Sequence, residues 1–266
     1  MLGTTKIYGC IADPIDHVKA PTLFTSIFNN ENIDAVMIPI HLNEDNLENV
    51  ITSLKLIENF KGMTVTIPHK ENISKLCDYL EPDAKFTGAV NWIKFDKDRK
   101  LIGNNFDGQG FINGFIGQNY SLKNKSVCLF GAGGAAVSIG CSLASEQIKS
   151  LKLINRDINK AIHLKNKIKA KYDFLKVEVY PENDYSLADS DIIINATSLG
   201  LKTTDKLPFD ITRSSTNAVI ADIIMQPEET ELLKHAKSLG RSIHYGKYMI
   251  ESQINLVGDF LKFGKL

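Results

Sequence analysis

The chain has no excess of charge of either sign: 31 Lys and Arg balance 31 Asp and Glu. A protein that tracks a phosphate backbone or an anionic lipid surface needs a basic field, so neither nucleic acid nor a membrane is an expected partner. No apolar run comes near the roughly 18 residues of a membrane-spanning helix. The opening residues, MLGTTKIYGC, lack the basic and apolar blocks of a targeting segment and read as the approach to a strand, so a cytoplasmic placement is expected. Cysteine is sparse, at Cys10, Cys77, Cys128 and Cys141, and no two of them form a C-x-x-C pair. Buried thiols in a reducing compartment, with no disulfide and no metal site, are the expectation. Internal repeats and low-complexity linkers are absent too. What is present is a globular composition, 43% hydrophobic and 23% charged over 266 residues. At about 150 residues per domain, that length suits two domains.

The first hundred residues alternate between strand and helix patterns. Short apolar runs at 6–11, 36–40, 63–67 and 89–95 read as strands, the third of them stopped by Pro68. Between them, Pro21 opens a helix through Phe28, and Asn43-Glu44-Asp45 starts another with Leu47, Val50, Ile51 and Leu54 at helical spacing. This alternation predicts an α/β unit with a mainly parallel sheet. A second series begins near residue 125, with strands at 126–130, 151–154, 191–195 and 218–222 and helices to about Ser145 and Tyr172. We expect the boundary within 108–123. The predicted domains are 1–108, with a returning C-terminal segment 247–266 whose helix covers about 248–263, and 109–246.

Gly131-Ala132-Gly133-Gly134-Ala135-Ala136 follows a predicted strand and opens a predicted helix. The spacing fits the dinucleotide pattern G-x-G-x-x-[GA]. Gly131 permits a tight turn, Gly133 lets a pyrophosphate approach the backbone, and Ala136 lets helix and strand pack closely. The plain alternative is an ordinary tight turn between strand and helix. The adenosine ribose is read about 20 residues on, where Asn155-Arg156-Asp157 stands, with Lys160 one turn into the next helix. An Arg receives a 2′-phosphate and an Asp suits a free 2′-hydroxyl. Arg156 with Lys160 tilts the expectation to NADP(H), with NAD(H) as the alternative.

Two further segments carry chemistry. In Gly62-Met63-Thr64-Val65-Thr66-Ile67-Pro68-His69-Lys70, Thr64 and Thr66 share one face of a predicted strand, and Lys70 follows just past its carboxyl end. Ligands of open α/β sheets bind at those ends. In Asn104-Asn105-Phe106-Asp107-Gly108, an acid stands at a helix start. The bland readings are a surface lysine and an N-cap aspartate.

These motifs, with six others in the same order, resemble the shikimate/quinate dehydrogenase family over essentially the whole chain. The other matching pieces are Asp13-Pro14-Ile15-Asp16-His17-Val18-Lys19-Ala20-Pro21, Gly88-Ala89-Val90-Asn91, the 131–135 turn, Asn155-Arg156, Asn195-Ala196-Thr197, and Gly246-Lys247-Tyr248-Met249-Ile250-Glu251-Ser252-Gln253. The resemblance implies an N-terminal α/β substrate domain, a C-terminal Rossmann domain and an active site in the cleft between them. It implies reversible hydride transfer between NAD(P) and a ring hydroxyl of shikimate or a related cyclic polyol acid, a step of the chorismate pathway of aromatic amino acid biosynthesis. Lys70 then matches the catalytic lysine and Asp107 its partner, which orients it. Thr64, Thr66, Asn91, Gln253 and the positions of Val18 and Ala20 match the substrate-binding set. Gly131, Ala132, Gly133, Gly134, Ala135, Asn155, Arg156, Asp157, Lys160, Thr197 and Gly246 match the cofactor-binding set. The partner is a small molecule, and the chain is expected to act as a monomer or homodimer.

The departures from the family cluster at the substrate's acid end. Val18 and Ala20 stand where the family has two serines that grip the carboxylate, and neither replacement donates a hydrogen bond. Thr64 replaces Asn, Trp92 replaces Thr, and Met225 stands for the tyrosine of D-x-x-Y-x-P. In the ribose motif, Asp157 and Lys160 stand for Thr and Arg. Lys19, His17 and His69 are candidates to hold the carboxylate instead. The alternatives are a quinate or aminoshikimate-type dehydrogenase, and a cofactor-binding regulatory paralogue without turnover. Retention of both Lys70 and Asp107 argues against the last.

Overall fold

The computed structural model describes residues 1–16, 18–202 and 204–263. His17 lies outside the described residues. The chain forms two compact units. One comprises Met1–Phe106 with Ile254–Leu266, the other Asp107–Gln253. The helix that starts at Asp107 belongs wholly to the second unit, and so does everything up to Gln253.

The first unit runs β1 (Lys6–Ala12), α1 (Ala20–Asn30), β2 (Ala35–His41), α2 (Leu47–Leu54), β3 (Phe60–Val65), α3 (Lys70–Leu76), β4 (Tyr79–Leu80), α4 (Pro82–Thr87), β5 (Trp92–Phe95) and β6 (Leu101–Asn104). Its sheet has the order β2-β1-β3-β5-β6-β4. The pairs β1/β2, β1/β3 and β4/β6 are parallel, whereas β3/β5 and β5/β6 are antiparallel. The antiparallel part comes from a hairpin that apolar periodicity did not announce. Residues 96–100 turn back on themselves, Asp96 Oδ1 accepts from the backbone N–H groups of Asp98 and Lys100, and Arg99 takes a left-handed φ of 59°. So short a connection joins antiparallel strands only. Arg99 also donates to the carbonyls of Leu54, Lys55, Ile57 and Phe60, all at 2.8–2.9 Å, and so satisfies the end of α2.

β3 stops at Val65, two residues earlier than expected. His69 N–H bonds back to the Thr66 carbonyl at 2.9 Å, which turns the chain before Lys70. One face of the sheet packs Ile11, Met63, Val65, Ile73, Ile93 and Leu101. Elsewhere in the unit Phe24 meets Trp92 edge-on at 4.9 Å, and Tyr8 meets Phe28 at 5.5 Å. Trp92 is therefore core, which accounts for one departure from the family pattern.

The second unit runs α5 (Asp107–Gly117), β7 (Ser126–Phe130), α6 (Gly134–Ser145), β8 (Ser150–Ile154), α7 (Ile158–Lys171), β9 (Lys176–Tyr180), β10 (Ile192–Asn195), β11 (Val219–Asp222), α8 (Glu231–Ser238), β12 (Ser242–His244) and α9 (Lys247–Glu251). Every neighbouring pair is parallel, in the order β12-β11-β10-β7-β8-β9. Numbered from β7, that order is 3-2-1-4-5-6 read from the other edge, the doubly wound dinucleotide-binding arrangement.

The predicted single C-terminal helix is two helices. α9 ends at Glu251 and α10 (Ile254–Leu261) begins after a turn. Each half serves a different unit. α9 packs so closely on α5 that a Cβ at Gly110 would lie 2.6 Å from the Met249 carbonyl oxygen. α10 places Phe260 against Phe106 at 5.5 Å and accepts a hydrogen bond from Lys94 Nζ at its Phe260 carbonyl.

Cys10, Cys128 and Cys141 are buried, Cys77 is half-buried, and all four are free thiols. Burial pushes Cys10 and Cys77 up to about 12, which keeps them protonated and inert.

His244, at the end of β12, is buried among Phe111, Phe115, Tyr120 and Tyr248, with ring centroids 5.2–6.4 Å away. Neither ring nitrogen has a hydrogen-bond partner, and burial pushes its pKa down to about 4. The unfolded chain therefore binds a proton below about pH 6.5 that the native chain refuses. Stability is full above that pH and falls as the pH drops towards 4. At pH 5 the loss is about 2 kcal/mol. His244→Leu is expected to gain about that much more over wild type at pH 5 than at pH 8 in urea unfolding. An advantage independent of pH would contradict the assignment.

Candidate active site

Each unit contributes a set of candidate residues at the carboxyl ends of its strands. In the first unit, Thr64 near the end of β3 donates through Oγ1 to the Asn91 carbonyl at 3.0 Å. The buried Asn91 accepts at Oδ1 from Phe106 N–H at 2.9 Å, so its side chain fixes the segment just before Asp107. Thr66 lies beyond the strand, with its N–H on the Ile11 carbonyl at 3.0 Å. Lys70 is half-buried and begins α3, and its carbonyl accepts from Val90 N–H at 2.9 Å. These bonds bring Thr64, Asn91 and the backbone of Lys70 into one cluster. They use main-chain groups of segments 15 and 27 residues apart, which is why spacing alone did not reveal them.

The acid-end candidates resolve differently. Ala20 is buried as the first residue of α1, Val18 is half-buried, and Lys19 is exposed at a helix start with no side-chain cap. His69 does not fit the carboxylate-holding role. It is fully buried, and its Nε2 donates to the Leu42 carbonyl at 2.6 Å.

In the second unit the sheet order places the topological switch between β7 and β10, where ligands of such sheets bind. The turn at 131–134 stands there. Gly131 has a φ of 112°, and a Cβ on it would lie 2.6 Å from the Ala196 carbonyl oxygen, so only glycine fits. Gly133 differs. A Cβ there meets no protein atom within 4 Å, so the space in front of it is open to an approaching group. Ala132 is buried, and Gly134 and Ala135 form the first turn of α6, whose N-terminus presents free N–H groups and a favourable dipole to a phosphate. The buried Ala136 lets that helix sit on the sheet. An open cradle at a helix start fits a pyrophosphate.

At the end of β8, Asn155 Nδ2 donates to the Asp157 carbonyl at 2.7 Å, and Asp157 Oδ1 accepts from Asn159 N–H at 3.0 Å. Asp157 thus caps α7, while Arg156 and Lys160 are exposed beside it. Thr197 donates to Asn195 Oδ1 at 2.7 Å. A Cβ at Gly246 would lie 2.4 Å from the Ile224 carbonyl oxygen. Asp107 opens α5 with its side chain buried, where the helix dipole favours a carboxylate. Gln253, also buried, packs its Cγ against Gly110 of the same helix. Among the described residues no cluster of three or more His, Cys, Asp or Glu side chains suits a metal ion. No described helix is long and apolar enough to cross a membrane.

Sequence reasoning gave no role to Asp222. This fully buried carboxylate ends β11 and accepts from Asn195, Ile224 N–H and Thr230. Burial raises its pKa to about 6, and those hydrogen bonds hold it from rising further. An Asp closing an apolar strand at the ligand-binding edge was the signal available.

The same arrangement occurs in known proteins. Residues 10–93 match the family model for the shikimate dehydrogenase substrate binding domain, and residues 116–231 match that for shikimate / quinate 5-dehydrogenase. A shikimate dehydrogenase (NADP(+)) of Methanosphaera stadtmanae is 36% identical over 255 residues, 94% of this chain and 89% of that protein. The solved shikimate 5-dehydrogenase of Listeria monocytogenes, in complex with shikimate and NAD, has a TM-score of 0.90 at 27% identity, covering 100% of this chain and 94% of that one. The ligand-free 5-ketofructose reductase of a Gluconobacter strain has a TM-score of 0.87 at 28% identity, covering 98% and 94%. With likeness to a curated relative running through both units, the chain belongs to the shikimate dehydrogenase family.

Proposed function

We propose that the chain is an NAD(P)-dependent dehydrogenase of the shikimate type, with NADP(H) the favoured cofactor. It interconverts a ring hydroxyl and ketone of shikimate, 3-dehydroshikimate or a related cyclic polyol acid. The observation that carries this reading is the dinucleotide turn at the switch point of a parallel sheet, on the same chain as a half-buried lysine at the end of β3. In this reading residues 1–106 with the returning α10 supply most of the substrate's partners, and 107–253 bind the cofactor and add Asp107 and Gln253 to the substrate set. The chain works in the cytoplasm as a monomer or homodimer, without nucleic acid.

The cofactor supplies hydride chemistry when bound. Gly131, Ala132, Gly133, Gly134 and Ala135 would hold its pyrophosphate, and Asn155, Arg156 and Lys160 its ribose end, with Asp157 capping the helix beside them. Thr197 and Gly246 shape the loops of the other half. Lys70 takes the proton of the substrate hydroxyl on oxidation and returns it to the ketone oxygen on reduction. Asp107 orients Lys70 and accepts from the substrate. Thr64, Thr66, Asn91 and Gln253 hold the remaining hydroxyls.

A second reading is favoured by Val18 and Ala20. Without hydroxyls there, a carboxylate loses two charge-assisted hydrogen bonds worth about 3–6 kcal/mol together. That is about two to four powers of ten in affinity. The true substrate is then a less acidic polyol ketone, in keeping with the likeness to a 5-ketofructose reductase. Steady-state assays with shikimate, quinate and 5-ketofructose, each with NADP(H) and NAD(H), separate the two. Millimolar or tighter KM for shikimate supports the first reading, and turnover confined to the neutral sugar supports the second. Inactivity on every pair would sink both. Where shikimate binds weakly, Val18→Ser with Ala20→Ser is expected to lower its KM at least about tenfold. An unchanged KM would mean that the carboxylate is not held at this edge.

A further inference from the structure

Asn195 and Asp222 end neighbouring parallel strands, and the register sets them side by side. Asp222 Oδ1 accepts from Asn195 Nδ2 at 3.2 Å and from Ile224 N–H at 3.0 Å, and its Oδ2 accepts from Thr230 Oγ1 at 2.8 Å. Asn195 Nδ2 also donates to the Leu199 carbonyl at 3.0 Å, and its Oδ1 accepts from Thr197 N–H and Oγ1. Thr197 Oγ1 in turn accepts from Leu199 N–H at 3.1 Å. An unbroken chain of bonds therefore runs from Thr230, the N-cap of α8, to the loop at 196–199.

Both ends of this chain abut candidate cofactor positions. The Ala196 carbonyl occupies the space that a Cβ on Gly131 would need, and the Ile223 and Ile224 carbonyls occupy the space beside Gly246. One buried carboxylate thus fixes the loops after β10 and β11 relative to the dinucleotide turn. Its partners are all neutral donors, and a carboxylate only accepts. Burying it without a cation is costly, so a tie made merely to close the sheet would be better served by an amide. In a doubly wound sheet, the half after the switch point receives the second nucleotide, opposite the adenosine half.

We propose that Asp222 is a positioning residue for the nicotinamide half of the cofactor, acting through Asn195 and Thr230 on the loops at 196–200 and 223–230. The proposal rests on the cofactor chemistry proposed above. It predicts an effect confined to one half of the dinucleotide. The test is calorimetric titration of the full chain with NADPH and with 2′,5′-ADP, which carries only the adenosine half, together with the emission of bound NADPH. Asp222→Ala and Thr230→Val should weaken NADPH at least about tenfold and return its emission towards that of the free nucleotide. Thr230→Ser, which keeps the hydroxyl, should behave as wild type. Affinity for 2′,5′-ADP should stay within about twofold throughout. Unchanged NADPH affinity and emission in Asp222→Ala would overturn the proposal. So would an equal loss of 2′,5′-ADP affinity, which means general loosening of the unit. Wild-type protein that binds neither nucleotide would instead overturn the cofactor reading beneath it.

Discussion

Alanine in place of Lys70 is expected to lower turnover by about three powers of ten while leaving NADPH affinity within about twofold. Proton transfer by a positioned side chain is worth that much. The substitution should not disturb the fold. Lys70 begins α3 and is half-buried, and its backbone carbonyl accepts from Val90 N–H. Alanine keeps that bond and favours the helix. Steady-state kinetics with a parallel fluorescence titration of NADPH checks both halves of the prediction. Unchanged turnover would remove Lys70 from proton transfer, and lost NADPH affinity would place it in the cofactor site instead.

The second large effect is at the turn. Gly131→Ala combines a φ of 112° with a Cβ 2.6 Å from the Ala196 carbonyl oxygen. Strain of about 1–3 kcal/mol, relieved only by moving the turn, should weaken NADPH by up to about a hundredfold. Gly133→Ala is the informative partner. Its backbone is extended, with φ −83° and ψ −179°, and its Cβ would meet no protein atom. It should leave thermal stability unchanged and still weaken NADPH, because the added methyl stands where the pyrophosphate approaches. Equal NADPH affinity in Gly133→Ala and wild type would move the pyrophosphate away from this residue.

Most strands were legible because apolar runs such as 126–130 and 192–195 are buried on both faces and bounded by turns. β4 and β12 were not, since two or three residues give no period to read, nor was β6, whose Leu101–Asn104 holds no apolar run. The 5-residue β9 went unread as well, its KVEVY pattern only partly buried at the sheet edge. The break between α9 and α10 was invisible because the apolar pattern continues across Ser252 and Gln253. It is set by close packing of α9 on Gly110, a contact distant in sequence. The same contrast holds at the site. The turn at 131–136 is contiguous, so its spacing announces it. Asp222, Asn195 and Thr230 are separated by 27 and 8 positions and meet only through strand register and a loop. The sequence placed Asp157 at the ribose end of the cofactor, and the structure shows that it also caps α7.

Hydride transfer to a ring ketone is followed by supplying the chain with 3-dehydroshikimate and NADPH deuterated at the transferring position, and tracking the label by mass spectrometry. One deuterium is expected on the product's ring carbon, at a rate that Lys70→Ala reduces with the overall turnover. Unlabelled product, or label that never leaves the cofactor with this acid or with a neutral polyol ketone, would contradict hydride transfer.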